Sequence, residues 1–174
     1  SDKYKTQILG FDSNEFPLIP KIKSETFCSI SAKALRSGLT TVLDSIAISE
    51  ARPELAGVFI DFTAKSIIFA ATDSFRLSER IIDLKHREKK SFILTRNAVL
   101  ELIRLLNDVY EDISIKYSDN QVAFLSNDFE VVSRLVDGNY PDYKKVIPDK
   151  FISRILVKKE ALEMIADKIS NILN

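Results

Sequence analysis

Two amphipathic stripes, each bracketed by runs of β-forming residues, constrain this chain more than any other feature. Between residues 31 and 48, Leu35, Leu39, Val42 and Ile46 recur at helical spacing, while Lys33, Arg36, Ser37, Thr40 and Asp44 fall on the opposite face. A second stripe of Val99, Leu102, Ile103 and Leu106 runs through residues 95–106, behind Thr95, a side chain suited to cap a first turn. Asn97, Glu101, Arg104 and Asp108 lie opposite it. The stretches around these helices read as strands. Residues 26–30 form a short one, and 57–62 with 66–71 form a hairpin around Thr63-Ala64-Lys65. Residues 75–82 alternate apolar and polar side chains, as a half-buried strand does. Segments 91–94, 113–117, 121–125 and 129–136 follow, with turn chemistry at Ser118-Asp119-Asn120, Asn127-Asp128 and Asp137-Gly138. The order is strand, helix, several strands, helix, several strands. It predicts an α+β pattern built twice, with helices on one side of antiparallel sheets.

Two proline-bearing stretches set the expected boundaries, Phe16-Pro17-Leu18-Ile19-Pro20 and Val146-Ile147-Pro148-Asp149-Lys150. They delimit three pieces: residues 1–20, a central domain at 21–148, and a tail at 149–174. The tail carries one more amphipathic helix over 159–173, with Leu162, Ile165, Ala166, Ile169 and Leu173 on one face. Nothing else in the tail can cover that face, so the helix reads as the opening of a further domain.

Charge limits what such a chain can grip. Its 25 lysines and arginines balance 25 aspartates and glutamates, and the pI is near 6.6. A domain that holds nucleic acid by bulk electrostatics has a pI above about 9, so tight DNA binding by this chain alone is not expected. No stretch approaches the ~18 apolar residues of a membrane span. The polar start Ser1-Asp2-Lys3-Tyr4-Lys5 lacks the apolar centre of a secretory signal, and a lone Cys28 in the run Phe27-Cys28-Ser29-Ile30 reads as a buried thiol. A cytoplasmic location is the expectation.

A search for catalytic chemistry yields nothing. The one histidine, His86, sits in the charged run 83–90 and reads as a solvated loop residue; one histidine and one cysteine cannot build a metal cluster. Neither a glycine-rich phosphate loop nor a nucleophile elbow is present. Asp73, between Thr72 and Ser74, is suited to bonding turn amides, and a hydrolase built on Asp73 or Asp142 would lack partners. No catalytic residue, metal or cofactor is expected.

Two segments carry the residue types of interaction hot spots: Ala71-Thr72-Asp73-Ser74-Phe75-Arg76-Leu77, and Ser133-Arg134-Leu135-Val136-Asp137-Gly138-Asn139-Tyr140-Pro141-Asp142-Tyr143. Taken in order with Leu55-Ala56-Gly57-Val58 and the continuation Lys144-Lys145-Val146-Ile147-Pro148, they resemble the bacterial DNA polymerase III β subunit family, the sliding clamps. The resemblance covers nearly the whole chain. It implies a DNA-clamp fold with antiparallel sheets outside and two helices on the inner face. It also implies the end of a first clamp domain, all of a second and the start of a third.

What the resemblance implies for function is a non-catalytic ring subunit that encircles duplex DNA and confers processivity. Its expected partners are the DNA polymerase III alpha subunit, the clamp loader and other proteins bearing a Gln-Leu-x-Leu-Phe-like segment. By resemblance the peptide groove takes Leu55, Thr72, Ser74, Phe75, Arg76, Leu77 and Pro148, and the DNA-facing residues are Lys33, Arg36, Arg52, Arg96 and Arg104. Ser74 stands where the family commonly has glycine and Phe75 where it has histidine or tyrosine, so a Cβ at 74 constrains the turn. The full-length protein is expected as a homodimeric ring and this chain as a monomer. An adaptor domain that binds peptides without any DNA role is the alternative; it would use the same 72–77 turn without needing the basic helix residues.

Overall fold

The computed structural model describes residues 6–15, 22, 25–49, 51–85 and 88–173. The expected linker at 16–20 and His86 lie outside the described residues. The chain divides into two compact units, Ser1–Tyr140 and Pro141–Asn174.

The first unit contains β1 (Cys28–Ser31), α1 (Ala32–Val42), β2 (Gly57–Phe62), β3 (Ser66–Thr72) and β4 (Leu77–Asp83). It then repeats the order with β5 (Lys90–Thr95), α2 (Arg96–Leu105), β6 (Asp112–Tyr117), β7 (Gln121–Leu125) and β8 (Glu130–Arg134). The strands form two antiparallel four-stranded sheets, ordered β1-β6-β7-β8 and β4-β3-β2-β5. Each half therefore lends its first strand to the edge of the other half's sheet. That exchange makes the two halves one folding unit. A single core runs through both sheets and both helices, with Leu35 and Leu39 of α1, Phe62 of β2, Phe69 of β3, Leu102 of α2 and Phe124 of β7 all in it.

Both helices start as the sequence predicts. Ser31 and Thr95 have extended backbones, and their hydroxyls accept from the amides of Ala34 (3.3 Å) and Ala98 (3.4 Å). Such a cap contributes about 1 kcal/mol. The first helix ends sooner than its stripe suggests. It closes at Val42 and tightens into a 3-10 turn at Leu43–Ser45, and the chain is extended again at Ile46. The buried Ser45 hydroxyl lies 2.7 Å from that of Ser78 on β4, which fixes the helix end against the sheet. Ile46 still reaches the core, but Ile48 is left in solvent. Gly38 shows why α1 lies so close to β3: a Cβ there would come within 2.5 Å of the Phe69 ring.

Two strands differ from expectation at the points that matter for function. β4 begins at Leu77 rather than Phe75, because residues 73–76 form the turn. β8 ends at Arg134 rather than 136, because the chain leaves its own sheet there: Leu135 bridges to Leu94, and the Val136 amide donates to the Ile93 carbonyl at 3.0 Å, both on β5. The second unit contains a short 3-10 turn at Tyr143–Val146 and α3 (Lys159–Leu173), the helix expected from the tail's periodicity.

Candidate functional site

The 72–77 turn is built by its own side chains. Thr72 closes β3 opposite Leu77, leaving Asp73, Ser74, Phe75 and Arg76 to reverse the chain. One carboxylate oxygen of Asp73 accepts from the amides of Phe75 and Arg76, each at 3.0 Å, and the other accepts from the Arg76 Nε at 3.1 Å. Those two amides first, and then the guanidinium, hold the Asp73 carboxyl below the usual carboxylate range. The Thr72 hydroxyl donates to the Arg76 carbonyl at 2.7 Å and accepts from the Ser74 amide at 3.1 Å. The polar groups of the turn are tied inward, and the aromatic ring is turned out: Phe75 is 98% exposed.

Ser74 carries the strain of this arrangement. Its φ is +78°, the one positive value at a non-glycine among the described residues. The left-handed conformation costs roughly 1–2 kcal/mol for a residue with a Cβ. A rigid turn that bears such strain and exposes a phenylalanine has the makings of a docking point, since a ring left in solvent forgoes the roughly 1.5–3 kcal/mol that its burial supplies.

Arg52 joins this turn. Its Nη1 reaches the Ser74 hydroxyl at 3.4 Å, and its Nε stands 4.0 Å from a carboxylate oxygen of Glu54. The loop that carries it is anchored by Leu55, which is 3% exposed and whose carbonyl accepts from the Ala47 amide at 3.0 Å. The structure thus brings together Arg52, Thr72, Ser74, Phe75, Arg76 and Leu77, with Leu55 holding the neighbouring loop from inside. Pro148 belongs to the second unit, where it is exposed. Sequence reasoning set Arg52 among the DNA-facing residues. No pattern in the chain links it to a side chain 22 positions away.

The outer faces of α1 and α2 are only weakly basic. Lys33 is exposed, and Arg36 spends its Nε on the Ile103 carbonyl at 3.3 Å, tying α1 to α2. Arg104 donates to Glu101 at 3.0 Å, and that bond holds the Glu101 carboxyl low. Arg96 opens α2 and is half-buried. Against these cations stand the exposed carboxylates of Asp44, Glu101 and Asp108. Along α1 and just past the end of α2, Lys33, Arg36, Thr40 and Asn107 line a cleft with Tyr110, a ring that is 94% exposed and that no motif singled out.

Among the described residues no group of three or more His, Cys, Asp or Glu could hold a metal ion, and no helix is long and apolar enough to cross a membrane. Cys28 is buried as expected, its thiol pushed up to about 11 by desolvation.

A twice-built strand–helix–three-strand unit with exchanged first strands is the architecture of a sliding-clamp domain. Residues 29–142 match the family model described as the DNA polymerase III beta subunit, central domain, and the chain belongs to that family. It is 33% identical over 143 residues to a beta sliding clamp of Staphylococcus aureus, a match covering 82% of this chain and 38% of the relative. Among solved structures, the beta subunit from the DNA polymerase of Streptococcus pyogenes superposes with a TM-score of 0.79 at 27% identity, covering 86% of this chain and 41% of that one. The DNA polymerase III beta subunit of Thermotoga maritima gives 0.75 at 30% identity, covering 80% and 38%. The chain therefore spans about two-fifths of the length of the relatives it matches.

Proposed function

We propose that this chain works as part of a ring that encircles duplex DNA, confers processivity on a replicative polymerase and docks partner proteins by short peptide segments. On this reading residues 21–148 act as the middle of three similar domains, with 1–20 and 149–174 belonging to its neighbours. The ring is a homodimer of the full-length protein in the cytoplasm, and it performs no catalysis itself. Its partners are the DNA polymerase III alpha subunit, the clamp loader and other proteins carrying a Gln-Leu-x-Leu-Phe-like segment.

The near-neutral helix face supports retention by enclosure rather than by grip. Lys33, Arg36, Arg96 and Arg104 offset their neighbouring carboxylates by little, which suits a surface that slides past phosphates without reading sequence. The observation that carries the docking half of the reading is the exposed Phe75 on a turn whose Phe75 and Arg76 amides are already held by Asp73. Thr72, Ser74, Arg76 and Leu77 frame the peptide with it, Leu55 backs the neighbouring loop, and Arg52 adds a cation that the resemblance had assigned to DNA.

An NMR titration of the labelled chain with a Gln-Leu-x-Leu-Phe-type peptide tests this. Shifts centred on Arg52 and residues 72–77, weakened about tenfold in affinity by Arg76→Ala, are expected, the size of one lost hot-spot contact. Shifts scattered over the surface and indifferent to Arg76→Ala would sink the docking site. For the ring, the full-length protein should stay on circular DNA and leave linear DNA.

A further inference from the structure

One residue of the 133–143 segment remains without a role. After Val136 bonds to Ile93, the chain brings Tyr140 onto Phe59, a residue of the β4-β3-β2-β5 sheet outside the core between the sheets. Ala70, Phe59 and Ile93 form a row across that sheet, since Phe59 pairs with Ala70 on one side and with Ile93 on the other. Ala70 is fully buried and Ile93 nearly so, although neither belongs to the core cluster between the sheets. The Tyr140 ring lies on the middle member of that row, stacked on Phe59 with centroids 4.8 Å apart and planes 12° from parallel. Its hydroxyl is sealed from solvent against the backbone of Thr72, the first residue of the docking turn.

The chain reaches this position through Gly138, whose φ of +129° lies where a side chain is strained. Open space surrounds that glycine: a Cβ would meet nothing nearer than Glu54 at 3.8 Å. The conformation itself, and not crowding, requires glycine there. Desolvation pushes the Tyr140 phenol up to about 12, with the Thr72 backbone pulling the other way, as expected for a hydroxyl enclosed beside a peptide group.

We propose that Tyr140 is a positioning residue: its stack on Phe59 and its enclosed hydroxyl fix the Thr72 end of β3, and so hold the 72–77 turn in the shape that docks peptide. The proposal rests on the docking reading for its consequence, but its structural half is separately measurable. A ring wedged over β2 and β3 leaves the end of β3 one arrangement. Without it, the Thr72 backbone loses a packing partner on the side facing away from the core, and the strained Ser74 next to it can relax.

The test uses the labelled chain with four substitutions, reading the Ser74, Phe75 and Arg76 amides and the affinity for a Gln-Leu-x-Leu-Phe-type peptide. Tyr140→Leu, which removes the stack, should displace the three amide signals and weaken the peptide about tenfold. Gly138→Ala, which strains the approach without touching Tyr140, should do the same in smaller degree. Tyr140→Phe keeps the ring and should recover most of the affinity, within about twofold of the native chain. Ile113→Val trims a buried residue of the other sheet and should lower stability while leaving turn amides and affinity alone. Turn amides that overlay the native signals in Tyr140→Leu would overturn the proposal, as would equal displacement by Ile113→Val. Should Tyr140→Leu fail to fold, turn amides that overlay the native signals in Gly138→Ala would overturn it equally. A native chain that binds no peptide would remove the docking reading, while the amide signals would still decide whether Tyr140 shapes the turn.

Discussion

The two halves of the first unit each end in a hairpin turn, and the turns make opposite use of the same chemistry. Between β3 and β4, Asp73 accepts from the amides two and three residues on; between β7 and β8, the Ser126 hydroxyl accepts from the amides of Asp128 (3.1 Å) and Phe129 (3.2 Å) in the same way. Each turn carries a phenylalanine. Phe129 packs against the core, whereas Phe75 stands in solvent. Only the first turn has a left-handed non-glycine, and only there does an arginine from a distant loop reach in. Capping makes both turns rigid. What separates a structural turn from a candidate docking site is where the aromatic points and what strain is tolerated to point it there.

That comparison can be broken at several points, the first being the premise that the halves share one core. Phe69→Ala, in the first half only, should cost about 3–5 kcal/mol, the range for deleting a buried aromatic. Urea unfolding of the first unit should remain a single transition, followed by probes in either half. Separate transitions for the two sheets would show that strand exchange does not couple them.

Alkaline pH strains both halves, through Cys28 on β1 in the sheet of the second half and Tyr140 on the sheet of the first. Both groups have folded values above their ordinary ones, about 11 against 9.0 and about 12 against 10.0. The unfolded chain releases each proton first, so stability is full below pH 9 and falls between 9 and 12 as deprotonated unfolded chains accumulate. After discounting for solvent access, each contributes on the order of 1 kcal/mol. Tyr140→Phe should remove the upper part of the decline and leave the lower part.

The caps themselves should prove equal in stability and unequal in function. Asp73→Ala and Ser126→Ala should each lower the midpoint of chemical denaturation by a similar small amount, since each removes a side chain that satisfies two local amides. Only the first should weaken peptide binding. Asp73 adds an acid signature: its folded value is depressed, so its contribution is present above its ordinary value of 3.8 and is lost as pH falls through the folded one. Asp73→Asn should remove that dependence.

The smallest effect concerns Ser74. Ser74→Gly should raise stability by about 0.5–1 kcal/mol by relieving the left-handed strain, less the entropy that glycine costs. It also removes the hydroxyl that Arg52 meets, so a chemical-shift change at Arg52 should accompany the gain.

The local elements of this protein were legible in its sequence. Leu35, Leu39 and Val42 marked one helix face, Thr95 marked a helix start, Asp73 marked a capped turn, and the 159–173 periodicity marked α3, because capping and amphipathic spacing act over three or four residues. The long-range partners were not legible. Nothing in β1 specifies that it pairs with β6 in the other half, since any antiparallel edge offers the same backbone donors and acceptors and only burial of the shared core chooses between them. The same holds for Arg52 on Ser74, Arg36 on the Ile103 carbonyl and Tyr140 on Phe59. These pairs are far apart in sequence and leave no periodic trace. The sequence determined a capped turn at Asp73, because its carboxylate serves amides two and three residues on; the tertiary structure decided that Phe75 stands in solvent there and which cation and tyrosine lie beside the turn.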